Sequence, residues 1–227
     1  SEIKNGAFWR DLLAELLATF FLVAAQCALP LSYDDTGSAR IGTALGMGFV
    51  VLSIGWCFGD FSGAHMNPAV TMTLLLRMKI TFLRAFFYWI VQCGGAIGAA
   101  FAIKSLVTED MAASADLALT KPAAGIEPWK GMLFEMVLTA ILCFTVHGAT
   151  NVKRKGMLFI NTLPIGMALA LGILMGLPVT GGSLNPARSL GPVVAQYDVD
   201  GIWDDHWIYW AGPMLGAIVA AIVYSLL

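Results

Sequence analysis

The tripeptide Asn-Pro-Ala occurs twice in the sequence, as Asn67-Pro68-Ala69 and as Asn185-Pro186-Ala187. Asparagine is a favoured N-cap and proline is favoured at the first helical position, so each tripeptide predicts the start of a helix. An apolar run follows each one and ends near Leu76 and Ala195. About ten helical residues rise only about 15 Å, which is half the hydrocarbon thickness of a bilayer. Each run is therefore too short to cross a membrane alone.

The chemistry that these positions offer is hydrogen bonding without proton transfer. If two half-helices meet N-terminus to N-terminus at the membrane midplane, the positive ends of their dipoles oppose cations there. Each asparagine can also offer its side-chain NH₂ to a water molecule. A water that accepts from both donors has its lone pairs occupied, so it cannot relay a proton. The pair predicts passive single-file flow of water without proton leakage.

The composition indicates that lipid surrounds the elements that carry these tripeptides. Hydrophobic residues make up 58% of the chain and charged residues 12%, whereas soluble domains carry about 25% charged residues. A net charge of −2 gives no reason to expect a nucleic-acid partner. Nothing resembles a catalytic triad, a phosphate-binding loop or a metal cluster, so we expect no enzymatic activity, cofactor or metal. We expect all four cysteines to be buried thiols, because each falls in an apolar stretch without CxxC spacing: Cys27, Cys57, Cys93 and Cys143.

Six apolar stretches are long enough to cross a membrane as helices, which takes about 20 residues. They cover approximately residues 8–31, 41–58, 82–103, 132–150, 158–179 and 207–227. An even number of spans puts both termini on one side. Lys and Arg prefer the cytoplasmic side, and they cluster in the N-terminal segment, around Arg77 and Arg84, and in the turn 153–155. The sequence therefore predicts an integral, multi-pass membrane protein with both termini in the cytoplasm.

The two halves of the chain, about 8–110 and 129–227, are copies of each other. AELLAT at 14–19 matches FEMVLT at 134–139, which aligns Glu15 with Glu135, and YWIVQCGGAI at 88–97 matches YWAGPMLGAI at 209–218. Three spans per half is an odd number, so the second copy is inverted, as in many channels and transporters. The prediction is a single all-helical domain over 1–227, with six transmembrane helices and two half-helices that form a seventh span. We expect close helix packing at three pairs of glycines in small-xxx-small spacing: Gly94/Gly98, Gly172/Gly176 and Gly212/Gly216.

Glycine-rich segments at 62–65 and 180–183 precede the two tripeptides. We expect them to run extended and to line a water-filled pore, since non-helical backbone at membrane depth is tolerated only where it is buried or faces a cavity. The carbonyls that would line the pore are those of Gly63, Ala64, His65, Gly181 and Ser183. Acids within membrane spans, such as Glu15 and Glu135, are often functional. We favour a role in accepting hydrogen bonds from the loops, and a proton relay remains the alternative.

The two Asn-Pro-Ala boxes, the paired Glu15 and Glu135, the sequence HWIYW at 206–210 and the inverted halves resemble the major intrinsic protein (aquaporin) family over essentially the whole chain. The resemblance implies a homotetramer in which each subunit has its own pore, and we expect it in the plasma membrane. It also places the narrowest ring of the pore at four positions, which here are Met47, Ile173, Gly182 and Arg188. Water-selective members typically have an aromatic residue at the first position and His at the second. This ring is therefore expected to be wider and more apolar on one side.

Other positions in the sequence bear on which solutes can pass through the pore. Ser189 stands where glycerol-conducting members usually have Asp, Tyr209-Trp210 is of the water-channel type, and the Ile-Gly-Arg combination is similar to ammonia-permeable members. We therefore expect a channel for water and for small neutral solutes such as ammonia and hydrogen peroxide. A glycerol and urea channel is one alternative, and a proton-coupled transporter is another. A junctional protein that makes contacts through residues 104–130 would show no flux.

Overall fold

The computed structural model describes residues 2–32, 37–151 and 161–227, and every regular element within them is helical. In chain order the α-helices are α1 (Gly6–Ala28), α2 (Gly37–Ser62), α3 (Pro68–Leu76), α4 (Phe82–Leu106), α5 (Glu109–Ser114), α6 (Pro128–Ala149), α7 (Thr162–Gly176), α8 (Pro186–Ala195) and α9 (Ile208–Leu226). Short 3-10 turns lie at Glu2–Lys4, Leu29–Ser32 and Asp116–Ala118.

Five helices in the described part of the chain are long and apolar enough to cross a membrane, namely α1, α2, α4, α6 and α9. The sixth predicted span, 158–179, contains the apolar helix α7, and part of that span lies outside the described residues. The basic turn at 153–155 also lies outside them. The all-helical membrane architecture predicted from the sequence is confirmed.

The two half-helices begin and end at the predicted residues. Asn67 is the N-cap of α3, where its side chain accepts a hydrogen bond from the amide of Ala69, and Pro68 is the first helical residue. Asn185 caps α8 in the same way, and Pro186 follows it as the first helical residue. The helices have 9 and 10 residues, so neither reaches across a bilayer on its own.

The helix packing reflects the duplication. Helix α1 packs mainly on α4 in the first half, α6 packs mainly on α9 in the second, and α2 packs on α7 across the two halves. The half-helices are exchanged, because α3 of the first half packs mostly on α9 and α8 of the second half packs mostly on α4. The two halves therefore interlock rather than lie side by side.

Glycines allow the closest helix approaches. A Cβ on Gly95 would lie 2.4 Å from the carbonyl oxygen of Leu16, and one on Gly216 would lie 2.4 Å from that of Met136. The expectation for Gly94/Gly98 is wrong, because a Cβ on Gly94 would meet nothing within 4 Å. The glycine at the α1–α4 crossing is Gly95, one position away. The pair Gly212/Gly216 is confirmed as close helix packing, since a Cβ added to either would lie 2.4–2.6 Å from a carbonyl oxygen of α6. Gly172 and Gly176 are also crowded, but their nearest neighbours are Leu184 and Gly182 in the segment before α8 rather than another helix.

The prediction of four buried cysteines is wrong for Cys57, which is exposed on α2, while Cys93 is half-buried. An apolar position on a membrane helix can face lipid as readily as protein, so hydropathy alone did not separate the two cases. The segment 104–130 also holds more structure than expected. Helix α5 starts at the N-cap Thr108, and the following turn has positive φ angles of 46°, 46° and 58° at Asp116, Leu117 and Ala118.

Candidate functional site

The carboxylate of Glu15 holds the first re-entrant loop, residues 63–66. Its Oε1 accepts hydrogen bonds from the hydroxyl of Ser62 at 2.7 Å and the amide of His65 at 2.8 Å. Its Oε2 accepts from the amide of Met66 at 2.8 Å. Glu15 is fully buried, so these donors replace the water molecules that would hydrate an exposed carboxylate.

Glu135 holds the second re-entrant loop, residues 181–184, in the same arrangement. Its Oε1 accepts from the hydroxyl of Thr180 at 2.6 Å and the amide of Ser183 at 2.9 Å, and its Oε2 accepts from the amide of Leu184 at 2.8 Å. The repeat seen in the sequence thus extends to individual hydrogen bonds.

Two tyrosines that the sequence analysis did not assign also hold these loops. The hydroxyl of Tyr88 donates to the carbonyl of Ser62 at 3.0 Å, and that of Tyr209 donates to the carbonyl of Thr180 at 2.7 Å. The alignment of the two halves, in which both tyrosines begin a matched segment, is the signal that could have identified them.

The two carboxylate sites differ in one partner. Gln92 donates from Nε2 to Oε2 of Glu15 at 2.8 Å and to the hydroxyl of Thr71 at 2.9 Å. The corresponding position in the second half is Pro213, which has no side-chain donor. Glu15 therefore accepts one hydrogen bond more than Glu135.

The expectation that the two loops run extended is wrong. In the first loop φ is positive at Gly63, Ala64 and Met66, with values of 87°, 47° and 53°. In the second it is positive at Gly181, Gly182 and Leu184, with values of 83°, 64° and 55°. An extended strand points successive amides in opposite directions, whereas each loop must aim two consecutive amides at one carboxylate. Left-handed residues turn the backbone into the concave arrangement that binds an anion.

The two asparagines link the loops across the centre of the molecule. Nδ2 of Asn67 donates to the carbonyl of Leu184 at 2.8 Å, and Nδ2 of Asn185 donates to the carbonyl of Met66 at 2.8 Å. Their Oδ1 atoms accept from the amides at the start of their own helices. Each NH₂ group carries two hydrogens, so each keeps one beyond the bond to the opposite loop. Both residues line a cavity of about 500 Å³.

Two cavities lie along the interior, one of about 500 Å³ and one of about 400 Å³. The larger is lined by both asparagines and by Gly63, Ala64, His65 and Ser183, while Gly181 lines the smaller. Four of the described residues line both cavities and so lie at the boundary between them, which we call the waist: Gln26, Met47, Ile173 and Arg188.

Three of the residues expected at the narrowest ring therefore lie at the waist. Gly182 lines neither cavity, and a Cβ there would lie 3.1 Å from Cα of Ile173. Gln26 was not identified from the sequence, although it is an isolated polar residue in an apolar span. Its burial, with 5% of its surface exposed, places it inside the protein rather than at the lipid surface.

Arg188, the arginine of the waist, is held by hydrogen bonds of its backbone and of its side chain. Its backbone amide donates to Oδ1 of Asn185 at 3.3 Å, and Nη1 of Arg188 donates to the carbonyl of Ala118 at 2.6 Å. Ala118 belongs to the left-handed turn after α5, and Leu117 in that turn is buried against the α1–α4 region. The turn thus presents a carbonyl to the guanidinium, which has only donors.

Comparison with known proteins agrees with this geometry. The family model described as "Major intrinsic protein" matches residues 2–224. Aquaporin PIP1-1 of Arabidopsis thaliana is 36% identical over 232 residues, covering 98% of this chain and 80% of its own. Aquaporin-1 of Bos taurus is 36% identical over 234 residues, with 99% and 84% covered. The lens fiber major intrinsic protein of Gallus gallus is 32% identical over 225 residues, with 99% and 84% covered.

The same fold is found in a solved structure, that of the aquaglyceroporin from Plasmodium falciparum. The two superpose with a TM-score of 0.82 at 22% sequence identity, covering 96% of this chain and 95% of that one. At this identity the likeness concerns the fold alone.

Proposed function

This chain belongs to the major intrinsic protein family, and on that basis we propose that it is a passive transmembrane water channel. The observation that carries the proposal is the pair of capped half-helices whose asparagines, Asn67 and Asn185, each donate to the opposite loop. Neither a transporter nor a junctional protein requires two helix N-termini to face each other in this way.

Water would be oriented at the centre by the remaining NH₂ hydrogen of each asparagine. Such a water accepts from both walls and donates to its neighbours on either side, so the hydrogen-bonded chain reverses direction there. A proton cannot hop through a water whose lone pairs are occupied. The positive ends of α3 and α8 add a barrier to cations. The carbonyls of Gly63, Ala64, His65, Gly181 and Ser183 would accept hydrogen bonds from waters on the two sides of this point.

Selectivity would be set at Met47, Ile173, Gly182 and Arg188. The guanidinium donates hydrogen bonds and repels cations, while Met47 and Ile173 offer an apolar wall. Such a ring favours small neutral solutes, so we propose ammonia and hydrogen peroxide as further solutes. The apolar wall at Met47 and Ile173 also suits glycerol and urea, which form the second candidate class.

We assign Glu15 and Glu135 to loop support rather than to a proton relay. Every carboxylate oxygen of the pair accepts a hydrogen bond from a backbone amide of its own loop. Both oxygens of each carboxylate are thus committed to donors that hold the loop, which is the arrangement that a supporting role requires.

We further propose a homotetramer in the plasma membrane with both termini in the cytoplasm. The hydroxyl of Thr81, between α3 and α4, donates to Glu2 at 2.6 Å. This contact supports the proposal, because it brings the basic N-terminal segment close to the basic region from Arg77 to Arg84, and the positive-inside rule favours the cytoplasm for both. Large side chains exposed on α2, such as Phe49 and Trp56, would face lipid or a neighbouring subunit.

The test is stopped-flow light scattering of proteoliposomes shocked in parallel with sucrose and with glycerol. A water channel shrinks the vesicles faster than empty liposomes in both media, and a pH-sensitive dye inside them reports no added proton leak. Prompt re-swelling in glycerol alone would favour the second candidate. Shrinkage no faster than in empty liposomes, from protein shown to be folded, would refute an open channel.

A further inference from the structure

We propose that Gln26 is a specificity-determining residue of the waist, where its carboxamide accepts a hydrogen bond from neutral N–H-bearing solutes such as ammonia. The proposal rests on the water-channel function above and deepens it. Gln26 lies in the last turn of α1 and shares both cavities with Met47, Ile173 and Arg188.

The other side chains of the waist lack a strong acceptor. Arg188 has only donors, the thioether of Met47 is a weak acceptor, and Ile173 offers none. A carboxamide has two acceptor lone pairs and two donor hydrogens, so it can form a hydrogen bond with a solute in addition to its contacts within the protein. Among the four side chains, Gln26 is therefore the one that can receive an N–H from a passing molecule.

Ammonia needs such an acceptor more than water does. A water in single file has two hydrogens, and its neighbours before and behind can accept both. Ammonia has three hydrogens and one lone pair, so one hydrogen is left for the wall. If the wall offers no acceptor at the waist, that hydrogen bond is lost without compensation.

The inverted repeat indicates that the fold itself does not require a polar side chain here. When Glu15 is aligned with Glu135, the equivalent of Gln26 in the second half is Val146 on α6. Val146 is also buried and lines the larger cavity. The second half thus accommodates valine at the equivalent place. A polar residue inside a membrane span is costly and usually lies on a solute path, and the position of Gln26 at the waist agrees with that rule.

The experiment compares Gln26→Met, which keeps the length of the side chain, with the wild type in proteoliposomes. Ammonia influx is followed with an internal pH dye and water flux by sucrose shock. We expect the ammonia permeability to fall roughly five-fold, the loss of one neutral hydrogen bond, while the water permeability stays within about two-fold. Leu13→Met, on the exposed side of α1, controls for insertion and should leave both values unchanged.

Each outcome bears on the proposal. Equal losses of ammonia and water permeability would mean that the substitution narrows the pore, and would overturn it, as would no change in either. Gln26→Val, which copies the second half, should show the same selective loss and decides the matter if Gln26→Met does not insert. A wild type that conducts water but not ammonia refutes this inference alone, whereas one that conducts neither refutes the proposed function.

Discussion

Replacing Glu15 by Gln should destabilise the protein more than the same change at Glu135. In Glu135→Gln, the amide oxygen can keep the bonds from Thr180 and Ser183, but its NH₂ group then faces the amide N–H of Leu184, which now donates to Oε2 at 2.8 Å. One charge-assisted hydrogen bond is lost and a buried donor faces a donor. The expected cost is about 3 kcal/mol.

At Glu15 the same change also disrupts the hydrogen bond from the neighbouring Gln92. Its Nε2 now donates to Oε2 of Glu15, and its own Oε1 is buried without a partner among the described residues. In Glu15→Gln, the amide of Met66 and Nε2 of Gln92 both face the new NH₂ group. Rotating the Gln92 amide by half a turn would let its oxygen accept from that group, but would leave its own NH₂ group in the place where Oε1 now has no partner. The loss at Glu15 is therefore one hydrogen bond larger than the loss at Glu135, and the cost should be greater by about 1 kcal/mol.

The assay is thermal unfolding of both purified variants in the same detergent. For a chain of this size 1 kcal/mol corresponds to roughly 2–4 °C in Tm, so Glu15→Gln should melt about 2–4 °C below Glu135→Gln. In a Gln92→Leu background the difference should disappear. Equal shifts of the two single variants, or a larger shift for Glu135→Gln, would refute the reasoning.

The same variants separate loop support from a proton relay. If the carboxylates only hold the loops, water flux per folded molecule should be retained in Glu135→Gln. A saturable, proton-gradient-driven flux in the wild type that this variant abolishes would contradict the support role.

Further changes test the waist, the centre and the helix packing. Arg188→Val should leave the fold intact but admit larger or cationic species, as measured by glycerol and sodium flux; unchanged selectivity would show that the ring lies elsewhere. Asn185→Asp should place an oxygen against the carbonyl of Met66, now 2.8 Å from Nδ2, and the added negative charge should raise the proton leak reported by an internal dye; a leak equal to the wild type would contradict this. Gly95→Ala should cost about 1–3 kcal/mol by overpacking, whereas Gly94→Ala, with open space at its Cβ, should stay within about 0.5 kcal/mol; equal melting temperatures would refute the assigned crossing.

The features that the sequence predicted well depend on short-range chemistry. Asn67 and Asn185 cap their helices through atoms two or three residues away, so the tripeptide alone locates both starts. The duplication then supplies the inverted arrangement, because matched segments such as those beginning at Tyr88 and Tyr209 can be aligned without any coordinates.

The features that it missed depend on contacts between distant residues. The left-handed residues of the loops follow from aiming two amides at Glu15 or Glu135, which hydropathy cannot show. Which of Gly94 and Gly95 faces α1 depends on the rotation of α4, and a shift of one residue turns a helix by about 100°. Gln26 is a polar residue in an apolar span, but only the position of the two cavities shows that it lies between them.

The exchange of the half-helices has a consequence for the order in which the chain can be completed during synthesis. Helix α3 is made early, yet it packs mostly on α9, which follows every other helix of the described chain. With 9 residues it cannot span the bilayer by itself, and Asn67 reaches its acceptor on Leu184 only when the second loop exists. The first half therefore enters the membrane with its central segment unfinished. The central path closes only as α9 docks, so a chain halted before that helix would hold both Asn-Pro-Ala segments and no completed pore.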